Sequence, residues 1–418
     1  MTTVNEDIIQ QMSQNNEITR NKVESEKGLK MVDKDDEGLE LFSYERDADL
    51  SGSTSIEFVH QCRGIIFHNE TVVMKSFPKT VEYNCKNVEE VANSLESVFS
   101  ECTFFRSEEG TLIRVFNFNG KWYISTHRKL DAFKSRWSSK DSFGMSFEKA
   151  IIHEFDTNER FNQALSSVSG ETMLDKFKQF LDVQKQYMFL VRNTSENRIV
   201  CLAPKNPTVY HVGTFINGVV DLDDNIFITK PEKLFFREVR DLCVRVNNDI
   251  DYNHHQGVIV FAPNNKQYKI VNDDYQTLFN IRGNEPSIKF RYLQVRMNRR
   301  DLEGLFFLYP EMLEKFDEYE NILYNISGKI HNAYIQRFIK KIHTVVPPEE
   351  LHVIKACHGW HVEDRKARKV TRNKVIEFLN LQNPTKLNKM IRTYIQEMKK
   401  QIASEPVIVE ESMKLNGM

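Results

Sequence analysis

The sequence predicts an α+β domain with mainly antiparallel sheets, followed by an all-helical C-terminal domain. Three observations carry that expectation. Between Leu39 and about residue 285, short β-branched and aromatic runs alternate with helical stretches. Asn119-Gly120 stands between two such runs, the strongest short signal for a two-residue hairpin. Beyond Glu285-Pro286 the strand texture stops, and Met312, Phe316, Tyr319, Leu323, Ile326, Ile330 and Ala333 recur at steps of four and three, one stripe of a long amphipathic helix.

Taken in chain order, residues 1–38 hold few aromatics and many charges, including Asp33-Lys34-Asp35-Asp36-Glu37-Gly38, and read as an acidic tail without fixed structure. GIIF (64–67), TVVMKSF (71–77), LIRVFNF (112–118), KWYIST (121–126), YMFLV (187–191), NRIVCL (197–202), QGVIVFA (256–262) and QYKIV (267–271) read as strands. Helical patterns cover 88–99, 146–155 and 172–184, so residues 39–285 form the mixed domain. Pro347-Pro348 interrupts the helical rear, with further helices expected over 349–357, 372–381 and 385–401 of a basic domain spanning 286–418.

Composition narrows the classes. With 418 residues, 40% of them apolar, the chain has material for two or three domains and is not wholly disordered. No run approaches 18 apolar residues and the N-terminus lacks a signal-peptide pattern, so no membrane partner is expected. Six scattered cysteines without a CxxC fit reduced thiols in the cytoplasm or the nucleus. The first fifty residues carry thirteen Asp/Glu against six Lys/Arg, whereas residues 287–400 carry 22 Lys/Arg against 13 Asp/Glu. The rear half would therefore meet any polyanion, ordinary solvated surface being the equal alternative.

Three pieces in order carry a family signal: Gln61-Cys62-Arg63-Gly64-Ile65-Ile66-Phe67, Ser107-Glu108-Glu109-Gly110-Thr111, and Asn197-Arg198-Ile199-Val200. Together they make the sequence, over roughly residues 40–275, resemble the ATP-dependent RNA ligases of the bacteriophage type, members of the covalent nucleotidyltransferase superfamily. The stretch STHRKLDAFKSRW (125–137) is similar to RNA-ligase-like proteins of large DNA viruses. The resemblance implies a nucleotidyltransferase fold in which a lysine attacks the α-phosphate of ATP, carboxylates position metal and ribose, and a lysine pair neutralises phosphate.

Position by position, the chain departs from that chemistry. Ser107 stands at the nucleophile position and Leu190, within Phe189-Leu190-Val191, at one carboxylate position. Gln256 of Gln256-Gly257 stands at the other, and Val271 replaces the second lysine, while Lys269 matches the first. A serine hydroxyl cannot replace a desolvated amine, and losing both carboxylates removes the usual hold on a divalent ion. The expectation is a catalytically degenerate, ligase-like viral protein, a pseudoenzyme that binds RNA or another nucleic acid or scaffolds a protein complex, with no cofactor. Two alternatives stay open: an active ligase using ATP and Mg with its nucleophile shifted to Lys121 or Lys75, and a protein-docking module. A cytoplasmic setting extends to a viral factory or virion.

The resemblance places Arg63, Arg128, Arg198 and Lys269 at nucleotide- or phosphate-facing positions, each with a structural hydrogen bond as its alternative. Glu108 and Glu109 beside Gly110 read first as turn residues, with contact to a bound ligand as the alternative. Arg365, Lys366, Arg368, Lys369, Arg372 and Lys374 fall within ten positions, dense enough to neutralise several phosphates or simply a solvated face. Cys357, His358 and His361 match no common zinc spacing, and no metal is expected.

Overall fold

A computed structural model describes residues 18–44, 56–194, 198–263 and 265–404. The chain divides into two compact units, one up to Asn280 and one from Ile281.

The first unit holds fourteen strands among its described residues. They are β1 (Leu29–Lys34), β2 (Leu39–Tyr44), β3 (Ile65–His68), β4 (Thr71–Met74), β5 (Val81–Asn84), β6 (Thr103–Ser107) and β7 (Thr111–Phe118), then β8 (Lys121–Ser125), β9 (Gln186–Arg192), β10 (Thr208–Ile216), β11 (Val219–Asp221), β12 (Lys233–Leu234), β13 (Gly257–Phe261) and β14 (Gln267–Val271). They build three sheets, ordered β1-β2-β3-β4, β11-β10-β9-β7-β8 and β12-β6-β13-β14-β5. Every neighbouring pair is antiparallel except β14 with β5. The hairpin between β7 and β8 turns at Asn119 and Gly120 with φ of 50° and 81°, the left-handed pair that Asn-Gly supplies at little steric cost.

Alternation along the strands sends one side-chain set to each face, and each sheet buries a helix-covered face. Val23 of α1 (Arg20–Ser25) and Phe58 and Val59 of α2 (Ile56–Gln61) pack on Phe42 and Phe67 of the first sheet. Val91 and Leu95 of α3 (Val88–Leu95) cover the third sheet. Phe147 of α4 (Phe143–Thr157), Phe161 of α5 (Glu159–Ser166) and Phe177 of α6 (Met173–Phe180) meet Phe189 on the second. Leu242 and Val246 of α7 (Val239–Asn248) join α3 over the third. Between sheets, Leu41, Ile66, Phe105, Phe116, Met188, Phe215 and Phe261 form a common core.

The second unit is helical, entered from α8 (Asp273–Arg282) and built from α9 (Ile288–Val295), α10 (Arg299–Leu308), α11 (Leu313–Tyr334), α12 (Pro348–Glu363), α13 (Arg372–Asn380) and α14 (Pro384–Ser404). The expected stripe lies on α11, where Phe316, Tyr319, Leu323, Ile326, Ile330 and Ala333 are buried. Tyr292 stacks on Phe316 with ring centres 4.5 Å apart. Arg296 grips Glu320 with two parallel bonds of 2.7 and 2.6 Å, the planar guanidinium–carboxylate fit.

Two expectations need correction. The stretch read as an unstructured tail, 1–38, contains α1 and β1 in its second half, residues 1–17 lying outside the described residues. Its acidic run is a set of anchors. Asp33 accepts from Lys129 Nζ at 3.1 Å and from Leu130 N at 2.8 Å, and Asp35 accepts from Tyr123 Oη at 2.8 Å. The segment read as the strand NRIVCL carries no strand at its described residues 198–202. Its amides point instead at a carboxylate.

Candidate functional site

The β6–β7 turn carries Ser107, Glu108, Glu109 and Gly110. Ser107 pairs with Gly257 across the sheet and is only 3% exposed. Its hydroxyl donates to Gln256 Oε1 at 3.1 Å, and Gln256 Nε2 in turn donates to Tyr275 Oη at 2.8 Å. Asn272 fixes Tyr275 by capping α8, accepting from the amides of Asp274 and Tyr275 at 2.9 and 3.0 Å. Tyr275 donates to Glu109 Oε2 at 3.1 Å. Glu109 also takes the backbone N–H groups of Ile199 (2.5 Å), Val200 (2.9 Å) and Cys201 (3.1 Å). Burial, reinforced by the Glu109 charge, pushes the Tyr275 phenol well above its ordinary range, so it stays a neutral donor.

The nucleophile position and one carboxylate position of the resemblance are thus joined in a network of hydroxyl and amide groups closed on one buried carboxylate. The third position, Leu190, packs beside it: a Cβ at Gly110 would stand 3.0 Å from Leu190 Cγ and 2.7 Å from Val191 O, so only glycine lets β9 lie this close. Glu108 is equally engaged, with Arg192 Nη1 at 2.9 Å and His255 Nδ1 at 2.9 Å. Sequence reasoning took Glu108 and Glu109 for turn residues. The one signal that could have revealed Glu109 is the polar NRIV segment, which has no sheet partner and so must send its amides elsewhere. Asn197 lies outside the described residues, and Arg198 directly precedes the amides that Glu109 gathers.

A second group of side chains is cationic. Gly64 adopts φ of 71°, and a Cβ there would come within 2.9 Å of both Arg114 Nη1 and His127 Cα, so the turn at Arg63-Gly64 presses directly on the loop after β8. Arg114, fully buried on β7, donates to Ser125 Oγ (3.2 Å), to Thr126 O (2.6 Å) and to the Gly64 carbonyl. All three are neutral oxygens. Thr126 Oγ1 accepts from the amides of Arg128 and Lys129 at 3.3 and 3.1 Å, which fixes the loop that presents His127 and Arg128. His127 Nε2 is sealed from solvent with no hydrogen-bond partner. Burial, then the charges of Arg63, Arg114 and Arg128, hold that imidazole well below its usual range. Burial and the Arg63 charge pull the Arg114 guanidinium down to about 9. It remains charged at neutral pH. Buried positive charge answered only by neutral oxygens favours an anion beside it.

The remaining expected site residues separate. Lys269, on β14, is held by Glu82 at 2.9 Å. In the helical unit the basic cluster divides. Arg372 lies over the Tyr324 ring at 3.6 Å and donates to Ser327 Oγ and Tyr324 O, Lys374 pairs with Glu377, and Arg368 pairs with Glu363. Arg365, Lys366 and Lys369 are exposed. His358 stacks on Phe338 at 3.7 Å and His361 meets the Arg368 carbonyl, so both imidazoles have packing roles. No three His, Cys, Asp or Glu side chains stand together as a metal site among the described residues. The donor set around Ser107 does not fit a divalent ion.

No protein-family model matches the chain. The immediate-early protein ICP-46 homolog of Invertebrate iridescent virus 6 is 30% identical over 380 residues, spanning 85% of this chain and 81% of that protein. The chain belongs to the ICP-46 family. A second ICP-46 homolog, from Invertebrate iridescent virus 3, is 28% identical over 320 residues, covering 74% of this chain and 67% of the other. The chain itself is also 24% identical over 377 residues to an Autographa californica nuclear polyhedrosis virus protein named as a candidate bifunctional polynucleotide kinase/RNA ligase, covering 86% of this chain and 49% of that one. Among solved structures, the match to an archaeal ATP-dependent RNA ligase covers 89% of this chain and 76% of that one at 8% identity, with a TM-score of 0.33. No helix among the described residues of this chain is long and apolar enough to cross a membrane.

Proposed function

We propose that this ICP-46 family member is a ligase-like protein that binds RNA without activating it, a pseudo-ligase that has kept phosphate recognition and given up adenylation. The observation that carries this reading is the environment of Ser107. The side chain at the nucleophile position is buried and spends its proton on the Gln256 amide, with no base beside it to take that proton. Neither substitute lysine is buried: Lys121 is 56% exposed and pairs with Glu37 at 3.5 Å, and Lys75 is exposed.

Binding would then rest on charge. Arg63 and Arg128 form one receptor for phosphate oxygens, held in place and reinforced in charge by the buried Arg114. Arg198 and Lys269 would contribute where a strand runs past the β6–β7 turn. Arg365, Lys366 and Lys369 form the second receptor in the helical unit, whereas Arg368, Arg372 and Lys374 serve mainly to hold their helices. Phosphate contacts carry no base information, so sequence preference should be weak.

The test is a salt titration of single-stranded RNA binding. The triple variant Arg365→Ala, Lys366→Ala, Lys369→Ala should lower the log–log salt slope by about 2, since each lost contact on a single strand removes about 0.7. Its thermal stability should stay within about 0.5 kcal/mol of wild type, because these side chains are exposed. Superimposable binding curves would mark this cluster as solvated surface and leave the Arg63 group as the receptor. Absence of RNA binding by the wild type would favour a docking module.

A further inference from the structure

Helix α11 does not end in an ordinary cap. It runs into a π turn, Ile335–Ile339, and Lys341 then takes a left-handed φ of 61°, reversing the chain into a strap that leads to Pro347-Pro348 and α12. Interrupted helical ladders of this kind recur at functional sites. The strap walls a cavity of about 370 Å³, within the range of small-ligand sites. Gln336 of the π turn and Asn332 of α11 line one side, and Val345, Val346 and Pro347 of the strap line another.

Glu350, in the first turn of α12, lines the same cavity. It is 6% exposed, and among the described residues no hydrogen bond or ion pair reaches its carboxyl group. Lys329, the cation of this cavity, is bound to Glu397 at 2.6 Å. On the outer side Lys389 is bound to Glu349 at 2.5 Å. With Glu350 ionised, two carboxylates stand against one ammonium and leave the cavity one positive charge short. A metal ion would need more acidic, thiol or imidazole ligands than the described residues gather anywhere. The apolar strap suits the body of an organic cation, and the amides of Asn332 and Gln336 suit its N–H groups or a second polar end.

We propose that this cavity receives an aliphatic primary ammonium group, bound by Glu350, with its methylene chain against Val345 and Pro347. Two sources share that chemistry, a free diamine and a lysine side chain of another protein. Burial holds the Glu350 carboxyl up to about 7; Lys329 on α11 opposes the shift, while Glu397 on α14 and Glu349 on α12 add to it. An alkylammonium stays charged throughout this range and binds the carboxylate form. Binding therefore expels a proton, and affinity rises about tenfold from pH 6 to pH 8.

Calorimetry on the full chain tests this, with 1,4-diaminobutane in one arm and an acetylated, amidated Gly-Lys-Gly peptide in the other, at pH 6 and 8. Binding in the diamine arm identifies a free amine as ligand, and binding in the peptide arm alone identifies a protein side chain. Either must be about tenfold tighter at pH 8 and lost at least tenfold in Glu350→Gln. A second readout stands independent of the variant's folding: the carboxyl ¹³C titration of Glu350 in wild type must move to lower pH when the bound probe is added. No binding of either probe at millimolar concentration, binding indifferent to pH and to Glu350→Gln, or an unmoved Glu350 titration would overturn the proposal.

Discussion

Glu109→Ala is expected to lower the stability of the mixed domain by about 3–5 kcal/mol, because the substitution strands two buried amides, one half-buried amide and one buried phenol at once. Each buried donor left without a partner costs about 1–3 kcal/mol, and partial relaxation of the 198–202 segment keeps the total below the simple sum. Urea denaturation compared with wild type reads the effect as a lower midpoint at unchanged slope. A loss under about 1 kcal/mol would mean that water serves the amides and that the network around Ser107 is open to solvent. The effect bears on the candidate site, since Glu109 is the one carboxylate in the network around Ser107.

The second large effect concerns phosphate. Replacing Arg63 and Arg128 together with alanine should weaken single-stranded RNA binding about 25-fold at 0.1 M salt. Two lost contacts remove about 1.4 from the salt slope, which is also the loss in log affinity at that concentration relative to 1 M. Arg114 is left in place because its bonds to Gly64, Ser125 and Thr126 hold the turn and loop that present the other two. Filter binding across 0.05–0.3 M salt separates this variant from the triple variant of the helical unit. Equal affinity of wild type and double variant would remove the mixed domain from RNA recognition.

Much of this architecture was legible in the sequence, for identifiable reasons. The Asn119-Gly120 turn and the strands on either side of it declare themselves through local chemistry: a left-handed pair of residues between alternating apolar runs. The α11 stripe is equally local, since every third or fourth residue meets the same neighbours. What escaped is non-local. Asp33 and Asp35 look like tail charges until Lys129, Leu130 and Tyr123, about ninety residues away, are brought against them. NRIVCL has strand composition, yet its amides are captured by Glu109 rather than by a neighbouring strand. The six basic residues between 365 and 374 are alike in sequence, and only packing against Tyr324, Glu363 and Glu377 divides them into three engaged and three exposed.

At the candidate site, the resemblance pointed to Ser107, Leu190 and Gln256, and the fold brings Ser107 and Gln256 into direct contact with Leu190 against Gly110. Arg63 and Arg128 share one cationic cluster with Arg114 and His127, whereas Lys269 lies in an ion pair on β14. Arg114 went unremarked because nothing local distinguishes a strand arginine that faces inward from the solvated majority.

On the function proposed above, this ligase-like scaffold no longer forms a covalent nucleotide. The most direct measurement is incubation of the purified chain with Mg²⁺ and ATP labelled at the α-phosphate, followed by denaturing gel electrophoresis, beside the Ser107→Lys variant. No label should remain on wild type, and none on Ser107→Lys, because Gln256 and Leu190 still supply no carboxylate to hold metal or ribose. Stoichiometric, denaturation-resistant label on the wild-type chain would contradict this account.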